Sequence, residues 1–72
     1  LNKSFFYTID KSVVPEYTKI LNLMKVPYLV EEPVVLLREG SSACRIVFPN
    51  MPASLYGMVR KLFGRDGEPY PL

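Results

Sequence analysis

Proton-transfer chemistry in this chain has to be built without histidine. That leaves lysines, tyrosines and the carboxylates Asp10, Glu16, Glu31, Glu32, Glu39, Asp66 and Glu68. Glu31 and Glu32 are adjacent, and successive side chains of an extended chain point to opposite faces, so they do not form a paired-carboxylate site. Cys44 sits in a mostly apolar, strand-like run, where a cysteine behaves as a small, inert hydrophobe. A single thiol without histidine builds neither a thiolate metal site nor an intrachain disulfide. Gly40-Ser41-Ser42 lacks the flanking pattern of a phosphate-binding loop and reads as a turn. The expectation is a chain with no catalytic residues, no metal and no cofactor.

A second chemistry is available to the cations and aromatics. Arg38 and Arg45 fall on strand-like segments, and Arg60, Lys61 and Arg65 cluster near the end of a helical one. Phe5, Phe6 and Tyr7 would offer stacking surfaces for single-stranded nucleic acid on an open sheet face. Two observations argue for a plainer reading. A helix C-terminus favours cations for its own electrostatics, and the net charge is only +2, from nine Lys/Arg against seven Asp/Glu. Nucleic-acid contact through these five basic residues is therefore the alternative expectation.

The elements that would position such groups follow from periodicity. Ser4–Ile9 is rich in aromatic and β-branched residues and reads as a strand, with Phe5, Tyr7 and Ile9 on one face and Phe6 and Thr8 on the other. Asp10 or Ser12 can cap a following helix that carries Pro15 in its first turn. Its apolar stripe is Tyr17, Ile20, Leu21 and Met24, and Pro27 ends it. Tyr28–Glu32 is either a short strand or an extended lead-in. Pro33–Glu39 and Ala43–Pro49 then read as a hairpin turned at Gly40-Ser41-Ser42. Asn50 and Pro52 announce a second helix with the stripe Leu55, Met58, Val59 and Leu62, flanked by Tyr56 and Phe63 and capped by Gly64. Gly57 inside that helix suggests close packing. From Arg65 to Leu72 the chain is too proline-rich for regular structure, apart from a short edge segment.

This order predicts an α+β fold, βαββα, as a single domain over residues 1–64 with a proline-rich tail over 65–72. It resembles the ferredoxin-like split βαβ arrangement lacking its last strand: a three-stranded, mostly antiparallel sheet with two helices on one face. Phe6-Tyr7-Thr8, Val26-Pro27-Tyr28 and Pro33 also loosely resemble glutaredoxins. Ser12–Glu16 stands where that family carries its cysteine motif, however, and Tyr28–Pro33 is too short for its second helix, so redox activity is excluded on chemistry.

The hairpin strands are apolar on both faces, and 72 residues supply too few helices to cover both. A small domain with 49% hydrophobic residues and no disulfide or metal is expected to gain stability by oligomerising. Phe6, Val34, Leu36 and Val47 form the expected interface of a homodimer or a docked protein partner, while Phe5, Tyr7, Val35 and Leu37 take the helices, with the inverted face assignment left open by the sequence. The chain reads as a non-enzymatic interaction or assembly subunit. With no apolar run of transmembrane length, no signal-peptide pattern and a single cysteine, the expected setting is cytoplasmic, away from membranes. A start at Leu1 without methionine suits a trimmed chain or a domain of a longer one.

Overall fold

A computed structural model describes residues 2–32 and 42–70. Strand β1 (Lys3–Asp10) leads through a single 3-10 turn (Lys11–Val13) into helix α1 (Val14–Met24). Strands β2 (Leu29–Glu31) and β3 (Ala43–Pro49), helix α2 (Ala53–Phe63) and strand β4 (Glu68–Pro69) follow. Among the described residues the sheet has four strands in the order β2-β3-β1-β4, and every neighbouring pair is antiparallel. The fold is α+β, with one strand more among these residues than the three that the sequence reading counted.

Local chemistry explains where the elements change. Asp10 Oδ1 accepts hydrogen bonds from the Ser12 N–H (2.8 Å) and hydroxyl (2.7 Å), which turns the chain out of β1. Pro15 occupies the first turn of α1, where no N–H is needed. The helix ends at Lys25 in the left-handed region (φ 58°), and Val26 N–H donates to Leu21 O at 3.0 Å. Helix α2 opens at Ala53 behind Pro52 rather than at Asn50, with Leu55 and Tyr56 N–H both donating to Pro52 O. Gly64 closes it at φ 75°, donating to Arg60 O at 2.8 Å.

Tyr7, Ile9, Ile46 and Phe48 occupy one sheet face and pack against Leu21 of α1 and Val59 and Phe63 of α2. Both helices therefore lie against the same face. Phe63 is stacked between Tyr7 (centroids 4.0 Å apart) and Tyr17 (4.7 Å), with Phe48 edge-on at 6.0 Å. This aromatic stack changes which helix residues face inward. Val59 and Phe63 point into the core, while Met58 of the expected stripe is 53% exposed. On α1 the buried residue is Leu21, and Ile20 turns outward at 40%. A large ring that can sandwich between two others outweighs a methionine and an isoleucine in setting the roll of the two helices.

Three further expectations are corrected. The place beside Arg45–Val47 that the hairpin reading assigned to Pro33–Glu39 is held by Leu29–Glu31, paired Leu29 with Val47 and Glu31 with Arg45. Residues 33–39 themselves lie outside the described residues. The count of three strands is exceeded because the short edge segment that the tail reading allowed forms β4, paired to Phe5 and Phe6, and Tyr70 N–H donates to Ser4 O at 3.0 Å. Among the described residues Gly57 has nothing within 4 Å of where a Cβ would stand, so it serves no close contact there, whereas at Gly67 a Cβ would fall 2.5 Å from Phe5 Cδ2.

Candidate functional site

The sheet face opposite the helices carries Phe6 and Val47 of the expected interface; Val34 and Leu36 lie outside the described residues. Phe6 is 2% exposed and Val47 0%, so neither offers the open apolar surface that alternation alone suggested. Groups around Phe6 account for part of this. The Arg45 guanidinium lies 5.0 Å from the Phe6 ring centroid, and Tyr70, delivered by β4, meets the same ring edge-on at 5.9 Å. Lys3 stands 5.1 Å from the Tyr70 ring and pairs with Glu31, whose carboxylate accepts from the Tyr70 hydroxyl at 3.3 Å. The Lys3 ammonium beside Glu31 holds that carboxyl below the usual range, and hydrogen bonding to Glu31 raises Lys3 in turn. This face is an aromatic and ionic lattice.

Among the described residues, the expected basic residues Arg45, Arg60, Lys61 and Arg65 do not converge on one site. Arg45 lies on the Phe6 face, whereas Arg60 and Lys61 belong to α2 across the sheet. Arg60 pairs with Asp66. Arg65 donates to Thr8 O at 2.7 Å and places its guanidinium 5.6 Å from the Tyr7 ring centroid, while its own carbonyl accepts from the Tyr7 hydroxyl at 2.9 Å. Burial, and after it the neighbouring Tyr56, raises the Tyr7 phenol well above its ordinary value. With Gly67 N–H donating to Tyr56 Oη at 3.1 Å, these contacts fasten the chain between α2 and β4. Arg60 and Arg65 thus have structural partners, Lys61 is exposed, and Arg38 lies outside the described residues.

Among the described residues, exposed apolar side chains lie on β2 (Leu29 and Val30) and on the helix layer, and only the helix layer adds a hollow to them. Val13, Glu16, Tyr17 and Ile20 of the α1 segment, with Leu62 of α2, line a hollow of about 470 Å³. Leu23, one turn beyond Ile20, is 76% exposed. Met58 lies one turn before Leu62 on α2, so both walls extend as apolar stripes. Sequence reasoning missed this surface because it assigned Ile20 and Met58 to the core. The signal for it was the 3-4-3 spacing of Val13, Glu16, Ile20 and Leu23, which places them on one helical face.

Cys44 is buried. Among the described residues no group of three or more His, Cys, Asp or Glu could hold a metal ion, and no helix is long and apolar enough to cross a membrane. Comparison with known protein families, curated proteins and solved structures finds no match for this chain.

Proposed function

We propose that this chain is a non-enzymatic protein-interaction or assembly module whose docking surface is the helix layer rather than the sheet. One observation carries the reading: the hollow between α1 and α2, with Ile20, Leu23 and Met58 left exposed around it. Contiguous exposed apolar surface on a small domain is characteristic of interaction sites, whereas single exposed apolar residues are ordinary. A ferredoxin-like split βαβ frame is part of the proposal, supported by the element order β1-α1-β2-β3-α2-β4 and the antiparallel strand order β2-β3-β1-β4. A fold of this kind hosts many functions, so the frame itself names none. A cytoplasmic setting belongs to the same reading and rests on the single, buried cysteine.

The test compares wild-type protein with Ile20→Asp as bait in cell extract at moderate salt, with recovered chains quantified by mass spectrometry. The reading expects a protein, another copy of this chain included, that wild type retains and the variant loses while its melting temperature holds. Equal recovery by both baits would overturn it. Retention of polynucleotide that falls steeply with salt and persists in Ile20→Asp would favour nucleic-acid binding instead.

A further inference from the structure

We propose that the α1 face is the self-association surface of this chain, pairing antiparallel with α1 of a second copy across a two-fold axis; the inference rests on the interaction reading above. A two-fold interface joins the same patch to itself, so the patch has to be self-complementary. The α1 face meets that condition in both shape and charge.

Val13 and Leu23 sit at its two ends, about 15 Å apart at the helical rise per residue. Ile20 lies between them and leaves its aliphatic end outside the core. Glu16 is the one charged residue lining the hollow, and Lys19, one turn on, is exposed beside it. When two such helices run antiparallel with the axis beside residue 18, Val13 of each copy meets Leu23 of the other. The same registry brings Glu16 of each copy within reach of the other copy's Lys19, so the ion pair forms twice. A parallel arrangement would set Glu16 against Glu16 and Lys19 against Lys19, so like-charge repulsion selects the antiparallel one. Neither Glu16 nor Lys19 has a salt-bridge partner within the chain among the described residues. A contact centred on one eleven-residue helix falls short of the roughly 1,200 Å² of a standard stable interface, so the association is weak and concentration-dependent.

Sedimentation equilibrium on the intact chain over micromolar to millimolar concentrations tests this, with Glu16→Lys, Lys19→Glu, the double charge swap and Leu23→Lys. All the substituted side chains are exposed, so far-UV circular dichroism and melting temperature should stay close to wild type. The expected pattern is a reversible monomer–dimer equilibrium in wild type, at least tenfold weaker in each single charge variant and in Leu23→Lys, and recovered in the double swap. Wild type that stays monomeric throughout, or a double swap no better than its parents, overturns the self-pairing. If another protein is still lost with Ile20→Asp in that case, the interaction reading stands with a different occupant. If none is, both fail.

Discussion

Replacing Gly67 by alanine should destabilise this domain more than its position near the C-terminus suggests. The new Cβ would fall 2.5 Å from Phe5 Cδ2 and 3.3 Å from both Phe5 Cγ and Tyr7 Cε1. Phe5 has little freedom to retreat, because its ring stacks on Phe48 at 5.1 Å and meets Tyr56 edge-on at 5.2 Å. Either this aromatic cluster shifts or the segment lifts, which would break the Gly67 N–H bond to Tyr56 Oη and disturb the β4 pairing. Overpacking of this kind costs about 1–3 kcal/mol. A domain of this length has only about 4–11 kcal/mol in total, and each kcal/mol moves its melting temperature by roughly 4–8 °C.

Thermal unfolding by circular dichroism should therefore show a loss of about 5–20 °C, and hydrogen exchange should show reduced protection of the Tyr70 amide, which donates to Ser4 O. Gly57→Ala is the matched control. Nothing lies within 4 Å of its would-be Cβ, and alanine is favoured over glycine inside a helix by about 0.5–1 kcal/mol, so that variant should gain a few degrees. A Gly67→Ala protein that melts within a degree of wild type with its Tyr70 amide still protected would refute the seating of β4 described above.

Phe63→Ala removes the middle ring of the Tyr7–Phe63–Tyr17 stack; a loss of about 3–5 kcal/mol is expected, enough to leave much of the chain unfolded at 37 °C by circular dichroism. Tyr7→Phe deletes the hydroxyl that donates to Arg65 O and should cost about 0.5–1.5 kcal/mol in urea unfolding, while the ring stack persists. In acid the depressed carboxyls Glu31 and Asp10 set the sign. Their stabilisation is fully present above their ordinary values of 4.5 and 3.8 and is lost as pH falls through their lower folded-state values, so stability should decline below about pH 4.5. Glu31→Gln should flatten part of that decline in pH-resolved melts, and an unchanged acid limb would remove Glu31 from the account.

Much of the secondary structure was legible because it is written locally. The aromatic and β-branched run Ser4–Ile9, Pro15 in a first turn and Gly64 at a left-handed cap act within a few residues, and they placed β1, α1 and the end of α2 close to where they lie. The bare residue types likewise bounded the chemistry, since a chain without histidine and with one cysteine has few ways to build a reactive centre.

Tertiary structure alone decided which apolar residues were spare. Helical spacing marks a stripe but not its centre, and the Phe63 stack rolled the helices so that Ile20 and Met58 came to the surface. The fourth strand was legible only as a short edge segment that the tail allowed, with neither bounds nor partner. A two-residue segment at Glu68–Pro69 has no periodicity to detect, and it is held by side chains distant in sequence, Tyr7 and Tyr56, through Arg65 and Gly67. Once that strand is in place, Tyr70 reaches over Phe6, and a residue whose type and position promised an open interface is buried. Local preferences act along the chain, whereas exposure depends on which distant groups arrive on top, and so Phe6 is covered on the sheet while Ile20 and Met58 are exposed on the helices.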